Sequence, residues 1–178
     1  LLSTIGLYFA MSNPTMADPF ATCPSKAFLV QTSVAQLHGV NLVTGNSPLL
    51  SSDMVTTDKL NAMGFSVHDQ YLCAWSYEHK TLARIGNDYQ VEALSVTNVP
   101  DRAFFVGDVS VAENRYYMYR RDTGYGLFSI DLNPASPDYL NVVKRIDSSA
   151  LNLTIFDLAF HPSNGFAYSV DSSGKLHQ

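Results

Sequence analysis

Short apolar runs separated by polar turns fill this chain, and three stretches repeat the same pattern in register. They are MGFSVHDQYLCAWS from Met63, GDVSVAENRYYMYR from Gly107 and FDLAFHPSNGFAYS from Phe156, which align without a gap over about fourteen residues. In each, an alternating or continuous apolar run meets a polar turn (68–70, 112–114, 161–164) and then a second run rich in Tyr, Phe and Trp. Composition and punctuation of this kind predict a β-hairpin. A further turn (78–79, 122–124, 171–174) leads to a third run, KTLARIG from Lys80, YGLFSID from Tyr125 and GKLHQ from Gly174. A fourth run follows in two of the three, QVEALSV from Gln90 and LNVVKRI from Leu140.

Four short strands joined by tight turns make an antiparallel meander. The repeats begin about 44 and about 49 residues apart, close to the period of about 40–50 residues of propeller blades. No window of helical apolar spacing is long enough to compete. Before them, KAFLVQT from Lys26 matches a second strand, QLHGVNLVTG from Gln36 a third, and 54–57 is expected to join a fourth, with no first strand ahead of them. The predicted fold is therefore all-β, a β-propeller-like array of four-stranded meander blades. With three to four partial or complete blades and an end inside a third strand, the expectation is an incomplete, C-terminally truncated propeller. An arc complete as it stands, or a dimer closing its own ring, is the alternative.

Composition changes this picture little. Of 178 residues, 46% are hydrophobic and only 15% charged, which fits one folded domain and excludes a disordered chain. A net charge of −5 provides no basic stripe for a phosphate backbone, so nucleic acid is not an expected partner. The apolar run over 1–10 and the polar stretch ending Met16-Ala17 read as a signal peptide over 1–17 without its n-region, cleaved before Asp18, with the domain over 18–178. A buried edge strand is the competing reading of that run. No later stretch is apolar and long enough to be a membrane span. Secretion to the extracellular space or cell surface, or to the periplasm, is expected. Cys23 and Cys73 would then form one disulfide, unless Cys73 is an inert buried thiol.

CPSKAFLVQ, QLHGVNLVTG, LNAMGFSVHDQYLCAW, KTLARIG and FFVGDVS together resemble a family of secreted bacterial proteins known only as a domain of unknown function. The resemblance implies a β-propeller-like fold and a place in surface or adhesin-like proteins. It assigns no catalytic residue.

Candidate chemistry is sparse. Asp108 and Asp157 share one repeat position at the entry to a first strand, where two carboxylates facing a common channel would bind a cation or a sugar hydroxyl; Gly64 interrupts the series. Accepting backbone N–H bonds is the ordinary use of such an Asp. His68 and His161 also share a position, which points to a turn role, and the spacing of the five histidines fits no zinc motif. Asp131-Leu132-Asn133-Pro134 with Asp138 faintly suggests a calcium loop, with a Pro-containing β-turn as the simpler account. Tyr116, Tyr117, Tyr119, Arg120 and Arg121 form the densest aromatic and basic cluster; Tyr117 and Tyr119 fall on one face of the strand, Tyr116 and Arg120 on the other. Tyr119 is the candidate to stack on a sugar or peptide. Asn152-Leu153-Thr154 has the form of a glycosylation acceptor. No nucleophile elbow, HExxH or phosphate-binding glycine loop is present, and no cofactor is expected. The expected function is a non-enzymatic extracellular binding or adhesion module with a glycan, peptide or surface-protein ligand. The alternative is a secreted polysaccharide hydrolase or lyase using Asp108 and Asp157.

Overall fold

The computed structural model describes residues 16–31, 34–52, 54, 58–151 and 153–178. Among the described residues fourteen strands form four antiparallel sheets, each a meander in chain order, and no helix occurs. The first sheet holds β1 (Ala27–Gln31), β2 (Gln36–Val40) and β3 (Leu49–Ser51); the second, β4 (Leu60–Ser66), β5 (Tyr71–Ser76), β6 (Thr81–Ile85) and β7 (Val91–Ala93). The third comprises β8 (Val106–Ser110), β9 (Arg115–Arg120), β10 (Gly126–Asp131) and β11 (Val142–Asp147), and the fourth β12 (Ile155–Phe160), β13 (Ala167–Asp171) and β14 (Leu176–His177).

Every strand predicted from the three repeats forms where the apolar runs placed it. The first sheet differs in its last strand, expected over 54–57: Leu49–Ser51 pairs with β2 instead, with Leu49 opposite His38. Residues 55–57 lie outside the described residues, as do 1–15 of the signal-peptide reading and Asn152 of the glycosylation motif. Ala17, the last residue of that reading, is buried and its carbonyl accepts from the Tyr71 hydroxyl at 2.8 Å. The Asp18 carbonyl accepts the Asn87 N–H at 2.8 Å.

Alternation within the second strands sorts residues between neighbouring sheets, because successive side chains leave a strand on opposite faces. Leu72 and Ala74 enter the core shared with the first sheet, beside Leu37 and Ile85. Cys73 and Trp75 enter the core shared with the third, beside Tyr116, Met118 and Phe128. Tyr119 turns forward to the fourth sheet, where it meets Leu158. Phe104, fully buried ahead of β8, sets its ring edge-on to Trp75 at 5.4 Å and to Phe128 at 5.5 Å. Offset and edge-on aromatic pairs of this kind add stability beyond their buried area. The first strands lie side by side, β4 against β8 and β8 against β12.

The hairpin turns show where the gapless alignment fails. Ser66 pairs with Tyr71 and Ser110 with Arg115, leaving turns over 67–70 and 111–114 that end on Gln70 (φ 62°) and Asn114 (φ 50°). In the fourth sheet the turn spans 162–165 and ends on Gly165 (φ 72°), with His161 N–H bonded to the Phe166 carbonyl at 2.9 Å. The left-handed closing position selects the glycine, which adopts it without strain. The hairpin therefore turns two residues later than the sequence alignment places it.

Candidate functional site

Asp108 and Asp157 occupy one position in the sequence repeat but open onto different spaces. Asp108 sits in regular pairing opposite Tyr117. One of its carboxylate oxygens, Oδ2, accepts the Phe160 N–H of β12 at 2.8 Å, which ties the third sheet to the fourth. Burial pushes its carboxyl up to about 6, against the lowering effect of the Phe160 and Val109 N–H bonds, with the nearby Asp157 charge adding to the rise. Its other side borders a cleft with Cys23, Lys26, Phe28 and Gly64. Asp157 lies in the β-bulge of β12 between Ile155 and Leu158. Bulges re-aim side chains, and this one turns the carboxylate toward the place where all four sheets meet. There Oδ1 accepts the Leu158 N–H at 2.9 Å, and burial again raises the carboxyl.

That meeting place is a cleft of about 240 Å³ lined by Leu29 of the first sheet, Asn61 and Met63 of the second, Phe105 ahead of the third, and Phe156 and Asp157 of the fourth. Phe105 is 50% exposed and Phe156 74%. Both rings also line an adjoining cleft of about 290 Å³ with Arg121, Asp122 and Thr154. Both rings thus stand between the two clefts, with polar groups on each side. Phe105 is held from below: the Tyr77 ring stands edge-on to it at 5.7 Å, and the Arg120 guanidinium lies 5.4 Å from its centroid. Arg120 is itself fixed by Asp122 and by the Ala103 carbonyl at 2.6 Å. Asn61 donates to the Tyr77 hydroxyl at 3.0 Å. An exposed aromatic face beside a carboxylate and an amide suits a ligand with both an apolar face and hydroxyl or amide groups.

Sequence reasoning missed Phe105, Phe156 and Asn61. The doublet Phe104-Phe105 carried a signal for the first of these: adjacent residues of an extended segment face opposite ways, so burying Phe104 exposes Phe105. Tyr119, expected at a ligand surface, is 2% exposed, and its hydroxyl donates toward the Leu151 and Leu153 carbonyls, both 2.8 Å away, and accepts from Leu153 N–H. Its ring is spent on packing the fourth sheet to the third. The expected bridge between Cys23 and Cys73 is not made in this structure: Cys23 is an exposed free thiol and Cys73 a buried one. Cys73 points to the third sheet, whereas Cys23 lies beside Phe28 and Leu72 on the opposite face of the second. Burial pushes the Cys73 thiol up, which keeps it an unreactive thiol.

The remaining polar candidates serve the framework. His68 Nε2 bonds the Val111 carbonyl at 2.8 Å, linking the second sheet to the third, and His161 Nδ1 accepts Ser163 N–H at 3.1 Å within its own turn. Asp131 is ion-paired to Arg115 at 2.7 Å and accepts from Asn133 N–H and the Ser136 hydroxyl, both at 2.9 Å, so it closes the Pro134 turn.

A family model described as a repeat of unknown function, DUF6923, matches residues 28–178, from β1 through all four sheets. No curated protein matches the chain.

Proposed function

The chain belongs to the DUF6923 repeat family, and from that premise we propose that its sheets are blades of a propeller-like arc whose convergent cleft binds a glycan outside the cell. The observation that carries this reading is the pair of exposed rings, Phe105 and Phe156, flanking Asp157 where the four sheets meet. First strands lying side by side, β4 to β8 to β12, support the propeller arrangement. The apolar run over 1–10 supports secretion. In this reading the apolar face of a sugar ring stacks on Phe156 or Phe105, and Asp157 accepts its hydroxyls. The protein acts as a binding or adhesion module of a secreted or surface protein. No helix among the described residues is long and apolar enough to cross a membrane.

Hydrolysis by the Asp108–Asp157 pair is the less favoured chemistry. Glycosidase action requires two carboxyls flanking one bond, and these two border different clefts. A glycan array with the intact chain, followed by Phe156→Ala and Asp157→Asn, tests the proposal. Each substitution is expected to weaken the array hit about tenfold, which corresponds to about 1.4 kcal/mol, with thermal unfolding little changed because Phe156 is largely exposed and Asp157→Asn keeps the oxygen that accepts the Leu158 N–H at a half-buried position. Full binding by the double variant, or no hit on the array, contradicts it.

A further inference from the structure

The two clefts that share Phe105 and Phe156 carry opposite charge. In the one of about 240 Å³, Asp157 is the charged lining residue, with the Asn61 amide in the same lining. The adjoining one, of about 290 Å³ between the third and fourth sheets, is lined by Arg120, Arg121, Asp122 and Thr154. Arg120 and Asp122 are occupied with each other: the Arg120 Nε donates to Asp122 Oδ2 at 2.6 Å, and its Nη1 donates to the Ala103 carbonyl at 2.6 Å. The Arg120 guanidinium also lies against the Phe105 and Tyr125 rings, 5.4 and 5.8 Å from their centroids. Their charges cancel and their positions are fixed. Arg121 differs on both counts that matter to a ligand. It is exposed, and among the described residues it forms no ion pair with a carboxylate; its Nη1 donates to the neutral Thr154 hydroxyl. That bond joins the end of β9 to the segment leading into β12 and holds the guanidinium at the cleft.

We propose that the second cleft takes a carboxylate-bearing sugar unit adjoining the neutral sugar at Asp157, so that the ligand is a short oligosaccharide containing a uronic-type acid; this rests on the glycan reading of the first cleft. Phe105 and Phe156 line both clefts, so a chain stacked on these rings passes from one to the other. The donors of Arg121 not engaged by Thr154 form a planar fork that matches a carboxylate, and charge-assisted bonds of this kind are the stronger ones. Elsewhere the sign is negative: Asp157 stands in the other cleft and the whole chain carries −5. A chain charged at every unit is repelled by that field, and the fit is to one acidic unit beside neutral ones.

A glycan array printed with disaccharides in three forms tests it with the intact chain: a uronic acid joined to a neutral hexose, its methyl ester, and the fully neutral counterpart. Esterification removes the charge and keeps the ring. The acid is expected to bind about fivefold more tightly than its ester, which corresponds to about 1 kcal/mol. Arg121→Gln brings the acid down to the level of the ester, and Arg121→Lys, which keeps the charge and loses the fork, retains part of the gap. Equal binding of acid and ester overturns the inference, and the glycan reading still stands if Phe156→Ala weakens both. Binding of none of the three forms overturns the two together. A preference for the acid that survives Arg121→Gln also overturns the inference. Should circular dichroism show Arg121→Gln unfolded, Arg121→Lys decides: a narrowed gap supports the inference, and an unchanged gap overturns it.

Discussion

Trp75→Ala is expected to destabilise the protein by about 3–5 kcal/mol, the range for emptying a large aromatic from a packed core. That is a large part of the roughly 5–15 kcal/mol by which domains are stable. Trp75 is fully buried between the second and third sheets, with Phe104 edge-on to it and Cys73, Leu82 and Met118 in the same core. No hydrogen-bond partner for its indole N–H occurs among the described residues. The indole thus contributes through volume and ring contacts, and Trp75→Phe should cost clearly less than Trp75→Ala. Urea unfolding followed by far-UV circular dichroism measures both. Equal losses for the two variants would show that the indole N–H, and not the packing, matters at this position.

Gly64→Ala is the second large effect, and it arises from contact between first strands. A Cβ at this position would lie 2.6 Å from the Val109 N and 2.8 Å from the Asp108 Cα, and closer still to the Asp108 carboxylate. Two of these neighbours are backbone, so the strain is relieved only by parting β4 from β8. Overpacking of this kind costs about 1–3 kcal/mol and occasionally more. Gly45→Ala makes the control: its turn has open space around it, although its φ of 76° carries a modest left-handed penalty. A fall in the urea midpoint for Gly64→Ala well beyond that of Gly45→Ala is the expected outcome. Similar midpoints would mean that β4 and β8 do not approach this closely.

The same contacts explain what was legible in the sequence. Strand positions were readable because the second strands of the two inner sheets alternate between two buried faces, which leaves the runs LCAW and YYMY apolar throughout and bounded by polar and turn residues. The slide of the last hairpin was readable in principle, since Gly165 is the glycine of HPSNG and the turn needs a left-handed closing residue. The bulges in β4 and β12 left no such mark. The β12 bulge brings Asp157 into the common cleft, while Asp108, in the regular pairing of β8, bonds the neighbouring strand, a difference hidden by their shared repeat position. Tyr119 and Cys73 were read as candidates from residue type alone, and their burial depends on sheets that lie far away in the chain. Asp58 went unread for the same reason: buried, it accepts the Tyr77 and Glu78 N–H groups at 3.1 and 2.9 Å and bonds the Ser76 hydroxyl, fixing the turn between β5 and β6.

Adjacency of first strands in successive sheets is the claim on which the convergent cleft depends, and the Phe160 amide reports it most directly. Its N–H bonds the Asp108 carboxylate across the third and fourth sheets, and that carboxyl is held up to about 6. In an NMR pH titration the Phe160 amide shift should move with a midpoint near 6, and the step should vanish in Asp108→Asn. A Phe160 amide that does not titrate, or that follows an ordinary carboxyl near about 4 and ignores the Asp108 substitution, would contradict the packing described for these sheets.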